Sequence, residues 1–191
     1  MTDAVKLILA VGRGQPGPAT VLALRAAVSD PVTIVRYHAK IRSVPGSECE
    51  FYIGALSGRG HGRFWLDVVN GHGVVVIAHR FAWALEHGVD SLLTTPVLGH
   101  RCDNPACQRI HPEHVVASSP VENRREWAAR RHTIGNPLRD TRGPRGRARA
   151  LREVIRAGHD PDTINALAAA GLMYDTAQLP LWAAPTRNAV N

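Results

Sequence analysis

The chain has 191 residues, which is enough for one domain and a small extension, and it carries a formal net charge of +7. No apolar run approaches the length of a membrane span and no charged-then-apolar leader is present, so we expect a cytoplasmic protein with no membrane association. The three cysteines, Cys49, Cys102 and Cys107, are an odd number, which argues against a disulfide framework and favours metal binding in a reducing compartment.

The first 45 residues predict an N-terminal helical extension. A helix fits residues 20–28, and residues 32–41 fit either a strand or a short helix before the turn at Pro45-Gly46. This part of the sequence carries no functional motif.

A β-rich segment begins at Glu48. Short strands are predicted at residues 49–53, 62–69 and 74–77, with Asn70-Gly71 as a tight hairpin turn between the last two. Residues 78–87 have helical spacing, and Gly88 is the expected end of that helix.

The next segment predicts strand, loop, strand and helix in that order. The first strand begins at Val97 and ends at His100, and residues 115–117 form the second. Ser119-Pro-Val-Glu122 has the pattern of a capping box with proline at the first helical position, which starts a helix over residues 120–131.

Positive charge is concentrated in residues 124–156, which hold eleven arginines against Glu126, Asp140 and Glu153. Arginine makes planar, bidentate contacts with phosphates and base edges, so this segment predicts a nucleic-acid footprint. Within it, Arg142-Gly-Pro-Arg-Gly-Arg-Ala-Arg149 resembles minor-groove AT-hook segments, and we expect an extended, mobile linker there. Two short helices are predicted at residues 150–157 and 161–170, and the apolar residues Leu179, Leu181 and Trp182 are expected to dock on this domain or on a partner subunit.

Metal-binding residue types cluster in residues 99–123. Cys102 and Cys107 are followed closely by His111 and His114, and His100 lies two residues before the first cysteine. Thiolates and imidazoles at this density are typical of a tetrahedral zinc site, and one histidine is left for chemistry.

The ordered set of motifs resembles the HNH endonucleases of the ββα-metal (His-Me finger) superfamily, in the branch related to zinc-bound homing endonucleases. The likeness spans residues 46 to 131. It is carried by Gly46-Ser-Glu-Cys49 through Gly62-Arg-Phe64, Ala78-His-Arg-Phe-Ala-Trp83, His100-x-Cys102-x4-Cys107, Pro112-Glu-His114 and Glu122-Asn123.

The resemblance implies an α+β fold in three parts. An N-terminal helical extension (residues 1–45) would precede the nuclease domain (46–132), and an Arg-rich linker with a small helical DNA-binding tail (133–191) would follow it. The domain would contain a ββα-metal core with structural zinc, preceded by a small antiparallel sheet and a helix.

The resemblance also implies the zinc ligands Cys49, Cys102, Cys107 and one histidine. The family ligand ends a Pro-x-His motif nine residues before the helix asparagine, which matches His114 and Asn123. His111 is the alternative, because the insertion of residues 108–110 changes the local spacing. Four protein ligands would make this zinc structural.

The implied catalytic chemistry needs few groups. His100 would act as general base toward a water molecule, with a pKa near the ordinary histidine value, and Asn123 would offer its side-chain carbonyl to Mg²⁺. Many relatives place an acidic residue or a histidine where this chain has Gly99. An arginine that contacts the scissile phosphate is expected, and Arg63 is preferred to Arg80.

These features favour a metal-dependent DNA endonuclease of the homing or mobile-element type, acting on double-stranded DNA, with a homodimer as one option for its assembly. The residues predicted to contact nucleic acid are Arg124, Arg125, Arg142, Arg145, Arg147 and Arg149. The first alternative is a catalytically silent, zinc-stabilised DNA-binding regulator. The second is an RNA-binding zinc module, which only the Arg-Gly segment favours.

Overall fold

A computed structural model of the protein describes residues 17–69, 72–133 and 136–169. These residues form a mixed α+β structure of helices and short antiparallel strands. The helices are α1 (Pro18–Ser29), α2 (Pro31–His38), α3 (Ala78–Thr94), α4 (Pro120–Arg130), α5 (Gly143–Arg156) and α6 (Pro161–Ala169). The strands are β1 (Ile41–Ser43), β2 (Glu50–Tyr52), β3 (Arg63–Val69), β4 (His72–Ile77), β5 (Val97–His100) and β6 (Val115–Ser118).

The strands pair as three antiparallel two-stranded sheets, in the order β1-β2, β3-β4 and β5-β6. In the second sheet Arg63 is opposite Ile77, and in the third His100 is opposite Val115. The predicted hairpin turn at Asn70-Gly71 lies outside the described residues.

The main hydrophobic core joins the N-terminal helices to α3 and to the β3-β4 sheet. The Tyr37 ring of α2 lies 5.0 Å from the Phe81 ring and 5.3 Å from the Phe64 ring, centroid to centroid. Leu24 of α1 is buried in the same cluster. The alternative of a helix over residues 32–41 is therefore confirmed for α2, and both N-terminal helices contribute to the core.

Helix α3 is interrupted where the sequence indicated. Gly88 has φ 83°, in the left-handed region that glycine tolerates best, and the chain resumes helical geometry beyond it. The helix that begins at Ala78 thus breaks at Gly88, as predicted. A second helical stretch follows the kink and continues to Thr94.

Strands β5 and β6 followed by α4 reproduce the predicted order of strand, loop, strand and helix. The capping box is present, because Glu122 N–H donates to Ser119 Oγ and Ser119 N–H donates to the Glu122 carboxylate. None of the residues of α4 is buried. Trp127 of this helix is 45% exposed.

The Arg-rich segment differs from the sequence prediction. Residues 143–156 form the continuous helix α5 instead of an extended, mobile linker followed by a helix at residue 150. The physical reason is an apolar face: Leu151 packs against Val44 and Phe51 and against Ile164 of α6 in a second core cluster. The predicted helix at residues 161–170 is confirmed as α6, and the tail residues 179–182 lie outside the described residues.

No single helix among the described residues is long and apolar enough to cross a membrane. The pair α1 and α2 meets the criterion only when both helices are counted together, and the pair is bent by 84°.

Candidate metal centre and histidine cluster

Cys49, Cys102, Cys107 and His114 come together in one cluster, with their potential ligand atoms all within 4.8 Å of one another. Cys49 lies just before β2, the other two cysteines lie in the loop after β5, and His114 directly precedes β6. We call residues 101–108 the Cys loop.

The Cys loop reaches Cys49 because it pairs with β2. Tyr52 N–H donates to the Ala106 carbonyl at 2.9 Å, and Gln108 N–H donates to the Glu50 carbonyl at 2.8 Å. These two bonds bring the end of the loop alongside the strand that follows Cys49. Backbone pairing therefore assembles the cluster from segments that are far apart in the chain.

Two distances inside the cluster match the sulfur-to-nitrogen edge of a tetrahedral zinc site. His114 Nδ1 lies 3.7 Å from Cys49 Sγ and 3.6 Å from Cys107 Sγ. With Zn–S bonds of about 2.3 Å and Zn–N bonds of about 2.0 to 2.1 Å, the sulfur-to-nitrogen edge of a tetrahedron is about 3.6 Å. One ion can therefore contact His114, Cys49 and Cys107 in their present positions, with Cys102 close by.

The thiols also have the electrostatic character of a cation site. Hydrogen bonds from the Cys102 thiol and then from the Cys107 thiol lower the pKa of Cys49 far below its ordinary value. The same contacts, with Cys102 first and Cys49 second, raise the pKa of Cys107. Three adjacent thiolates repel one another, so full ionisation of this cluster requires a positive ion among them.

His114, and not His111, belongs to this cluster. The His114 ring presents Nδ1 to the sulfurs, while its Nε2 lies 3.5 Å from a carboxylate oxygen of Glu48. A carboxylate on the far nitrogen is the usual partner of a metal-bound histidine, because it orients the ring. His111 instead uses its Nδ1 to accept the Glu113 N–H. The cluster fits a metal ion such as zinc.

A second group, which we call the histidine cluster, consists of His61, His79 and His100. His100 Nε2 lies 3.3 Å from His79 Nδ1, and the ring of His61 stacks on that of His100 with centroids 5.3 Å apart. The structure thus places His79, from the first turn of α3, in contact with His100.

The surroundings of His100 differ from the expectation. Enclosure of its ring, followed by the nearby His61, lowers the pKa of His100 to about 3. The prediction of an ordinary histidine pKa is therefore wrong for this conformation, and the imidazole is neutral at physiological pH. Its Nδ1 is buried and has no hydrogen-bond partner among the described residues.

Asn123 lies against the strand that carries His100. A Cβ atom placed on Gly99 would be only 3.1 Å from Asn123 Oδ1. Because glycine has no side chain, Asn123 Oδ1 can approach the backbone at position 99. Because side chains alternate across a strand, Gly99 and His100 face opposite sides of β5.

Arg63 and Arg80 lie near the histidine cluster in the chain and in the fold. Arg63 opens β3 opposite Ile77, the residue that precedes α3, and Ala78 N–H donates to the Gly62 carbonyl at 2.8 Å. Burial lowers the pKa of Arg80, whose Nε has no partner among the described residues. Arg63 is half-buried.

The arginines predicted to bind nucleic acid fall into two groups. Arg147 is 1% exposed and donates to the carbonyls of Asp103 and Ala168, so its prediction as a DNA contact is wrong for this conformation. Arg142 pairs with the buried Asp140, and Arg149 pairs with Glu153. Arg149 nevertheless lies in solvent, as do Arg124, Arg125 and Arg145.

Sequence reasoning missed several residues that hold the Cys loop. Asp103 has φ 52° and its carboxylate accepts from Arg130 Nε of α4 at 2.9 Å. Tyr37 of α2 donates to Gln108 Oε1 at 3.0 Å, and Arg109 contacts Glu48. Asn104 Oδ1 accepts the Ala106 N–H within the loop. No local pattern marks the long-range pairs.

No protein-family model, no curated protein and no solved structure matches this chain. What the protein does must therefore be inferred from the Cys3His cluster, the histidine cluster and the exposed arginines.

Proposed function

We propose that the protein is a metal-dependent DNA endonuclease with a ββα-metal core, a structural zinc and a catalytic Mg²⁺. The single observation that carries this proposal is the approach of Asn123 Oδ1 to Gly99, the residue that precedes His100 in β5. A potential magnesium ligand and a potential general base then lie at the end of the same strand, next to the Cys3His cluster.

The residues at this strand end fit a magnesium ion. Mg²⁺ prefers oxygen ligands and commonly keeps several water molecules while it binds a substrate phosphate. Asn123 would supply one amide oxygen, and water molecules and the substrate phosphate would supply the other ligands. When bound, the ion would stabilise the negative charge that develops on the phosphate and on the leaving 3′ oxygen.

His100 would take the proton from the water molecule that attacks phosphorus, while the 3′ oxygen leaves. The neutral imidazole has a lone pair for this step, and Nδ1 is the nitrogen without a protein partner. Since that nitrogen is enclosed, proton transfer requires that DNA binding or a small shift of the ring admit one water molecule. Arg63 would contact the scissile phosphate.

The exposed arginines of α4 support DNA as the partner. Arg124 and Arg125 follow Asn123 directly in the chain and remain in solvent. Arg131 stacks on the half-exposed Trp127 ring at 4.5 Å, which adds a flat basic surface at the end of the same helix. Phosphate contacts from these residues would place the backbone near Asn123.

The enclosure of His100 favours a second candidate, a catalytically silent, zinc-stabilised DNA-binding regulator. Both candidates bind DNA, and they differ in whether His100 acts as a base. The low pKa of His100 and its enclosed Nδ1 are the specific observations on the side of the regulator.

Plasmid cleavage with Mg²⁺ distinguishes the two candidates. We expect wild-type protein to cleave supercoiled DNA and His100→Ala to lose about 100-fold or more of the rate, the usual contribution of a general base. His159→Ala, which removes an exposed histidine beyond α5, is the matched control. DNA binding without any cleavage by wild type would establish the regulator, and the absence of DNA binding would reject both.

A further inference from the structure

The histidine cluster brings together three imidazoles from three separate parts of the fold. His61 lies in the loop before β3, His79 lies in the first turn of α3, and His100 is the last residue of β5. Each offers one nitrogen, and the three nitrogens lie within 4.8 Å of one another. This convergence involves none of the four residues of the Cys3His cluster.

The closest nitrogen pair has the spacing of two imidazoles on one metal ion. His100 Nε2 and His79 Nδ1 are 3.3 Å apart. For metal–nitrogen bonds of about 2.0 to 2.1 Å, the nitrogen-to-nitrogen edge of a tetrahedron is about 3.4 Å. The two rings can therefore bind one ion almost in their present positions.

The surroundings of His61 prepare it as a ligand. Its Nδ1 lies 3.1 Å from the Pro105 carbonyl, and a carbonyl oxygen only accepts hydrogen bonds, so Nδ1 carries the proton. The lone pair is then on Nε2. A backbone carbonyl that fixes the tautomer in this way is the common outer partner of a metal-bound histidine.

The cluster is enclosed by the protein, and His79 is 6% exposed. Its shortest contact joins two imidazole nitrogens, each of which can offer a lone pair. Burial is also the first cause that lowers the pKa of His61 and of His79, which keeps both rings neutral and able to bind a cation.

We propose that His61, His79 and His100 bind one divalent transition-metal ion of the Zn²⁺, Co²⁺ or Ni²⁺ class, at a site distinct from the Cys3His centre. Imidazole donors suit these ions, whereas Mg²⁺ and Ca²⁺ prefer oxygen. Three protein ligands leave a fourth position for water. A consequence, which rests on the proposed nuclease function, is inhibition. An ion on His100 Nε2 holds the proton of the neutral ring on Nδ1, so that Nδ1 has no lone pair to accept the proton of water.

Cobalt titration of the full chain, purified with zinc in the Cys3His centre, tests the site without any use of DNA. We expect one additional Co²⁺ per chain, with visible d–d bands and no thiolate-to-cobalt charge-transfer band. His61→Ala and His79→Ala should each weaken this binding at least about 100-fold, the upper end of what loss of an outer partner costs. His111→Ala, which removes a histidine outside both clusters, should bind as wild type does.

Two results would overturn the site: the absence of a second bound ion, or wild-type affinity in His61→Ala. Thiolate-to-cobalt charge-transfer bands would also overturn it, because they would show that the cobalt is bound by the cysteines. Zinc content and circular dichroism identify a variant that fails to fold. If the buried His79 does not tolerate alanine, the partly exposed His61 decides the question.

The cleavage assay tests the inhibitory consequence separately. One equivalent of Co²⁺ per chain, added with Mg²⁺ in large excess, should inhibit plasmid cleavage by wild type, and His61→Ala should resist this inhibition. Equal inhibition of both proteins would reject the regulatory role. If the chain binds cobalt but cuts no DNA, the metal site stands and the nuclease proposal fails.

Discussion

At the scale of single residues, Gly99 determines how closely α4 can approach β5. The strand passes next to Asn123 without a side chain between them, and a Cβ atom at this position would lie 3.1 Å from the amide oxygen. That distance is shorter than an ordinary van der Waals contact, so a larger residue must displace the asparagine by a few tenths of an ångström.

Gly99→Ala should therefore impair the proposed magnesium site while the fold persists. We expect the Mg²⁺ concentration for half-maximal plasmid cleavage to rise several-fold, because ligand positions within about 0.5 Å matter for catalysis. Gly58→Ala is the control, since an added Cβ there meets no atom within 4 Å. The same Mg²⁺ requirement in Gly99→Ala and wild type would show that Asn123 does not bind the ion.

The residue scale also shows what spacing predicts well. Cys102, Cys107, His111 and His114 lie in one short segment, so the local pattern predicts a metal site but leaves the choice of histidine open. The family resemblance selects His114 and adds Cys49, which lies far from the other ligands in the chain. Glu48, which faces the outer nitrogen of His114, belongs to no motif, and its position depends on how β2 meets the Cys loop.

At the scale of elements, α5 connects the C-terminal segment to the Cys loop. Arg147 passes into the interior and donates to the Asp103 carbonyl at 2.9 Å, and Leu151 fills the second core cluster one turn later. The many arginines and glycines of residues 142–149 predict an extended basic segment. The helix was missed because an arginine with a buried guanidinium looks the same in sequence as one in solvent.

Arg147→Ala should destabilise the protein by about 2 to 3 kcal/mol, since it removes hydrogen bonds from a buried charged group and leaves two carbonyls without their donor. Arg145→Ala changes an exposed position on the same helix and should stay within about 0.5 kcal/mol of wild type. Urea unfolding measures both values. Equal stability of the two variants would contradict the structural role of Arg147.

The exposed helix α4 leads to a prediction about DNA. Arg124→Ala combined with Arg125→Ala should reduce the salt dependence of DNA binding by about one unit of log–log slope for each phosphate that the protein no longer neutralises. Zinc content should not change, because neither side chain takes part in the Cys3His cluster. Arg147→Ala, if folded, should keep the wild-type slope. An unchanged slope in the double variant would show that the DNA-binding surface does not include Arg124 and Arg125 of α4.

At the scale of the whole molecule, the Cys loop is the point where distant parts of the chain meet. Tyr37 reaches it from α2, Arg130 reaches it from α4 and Arg147 reaches it from α5. The order of strands and helices could be predicted because hydrophobic periodicity and capping are local. These contacts, and the meeting of the histidines in one cluster, depend on tertiary structure that a single sequence does not encode in any local pattern.

Metal removal should consequently affect the whole fold. We expect about one tightly bound zinc per chain after purification without chelator, measured by elemental analysis, and a large drop in the thermal midpoint after chelation. Cys102→Ser should lose the metal and the stability together, whereas His111→Ala should keep both. Metal-free protein with an unchanged thermal midpoint would show that the Cys3His cluster is not a structural zinc site.

The separation of Cys49 from the other three cluster residues has a consequence for biosynthesis. During translation Cys49 leaves the ribosome long before His114. A nascent chain therefore cannot form the complete Cys3His cluster until more than half of its residues have been made. Products that stop earlier have no complete coordination sphere and leave apolar strands uncovered, which makes them substrates for proteases. Metal loading would then act in the cell as a check that synthesis has passed residue 114.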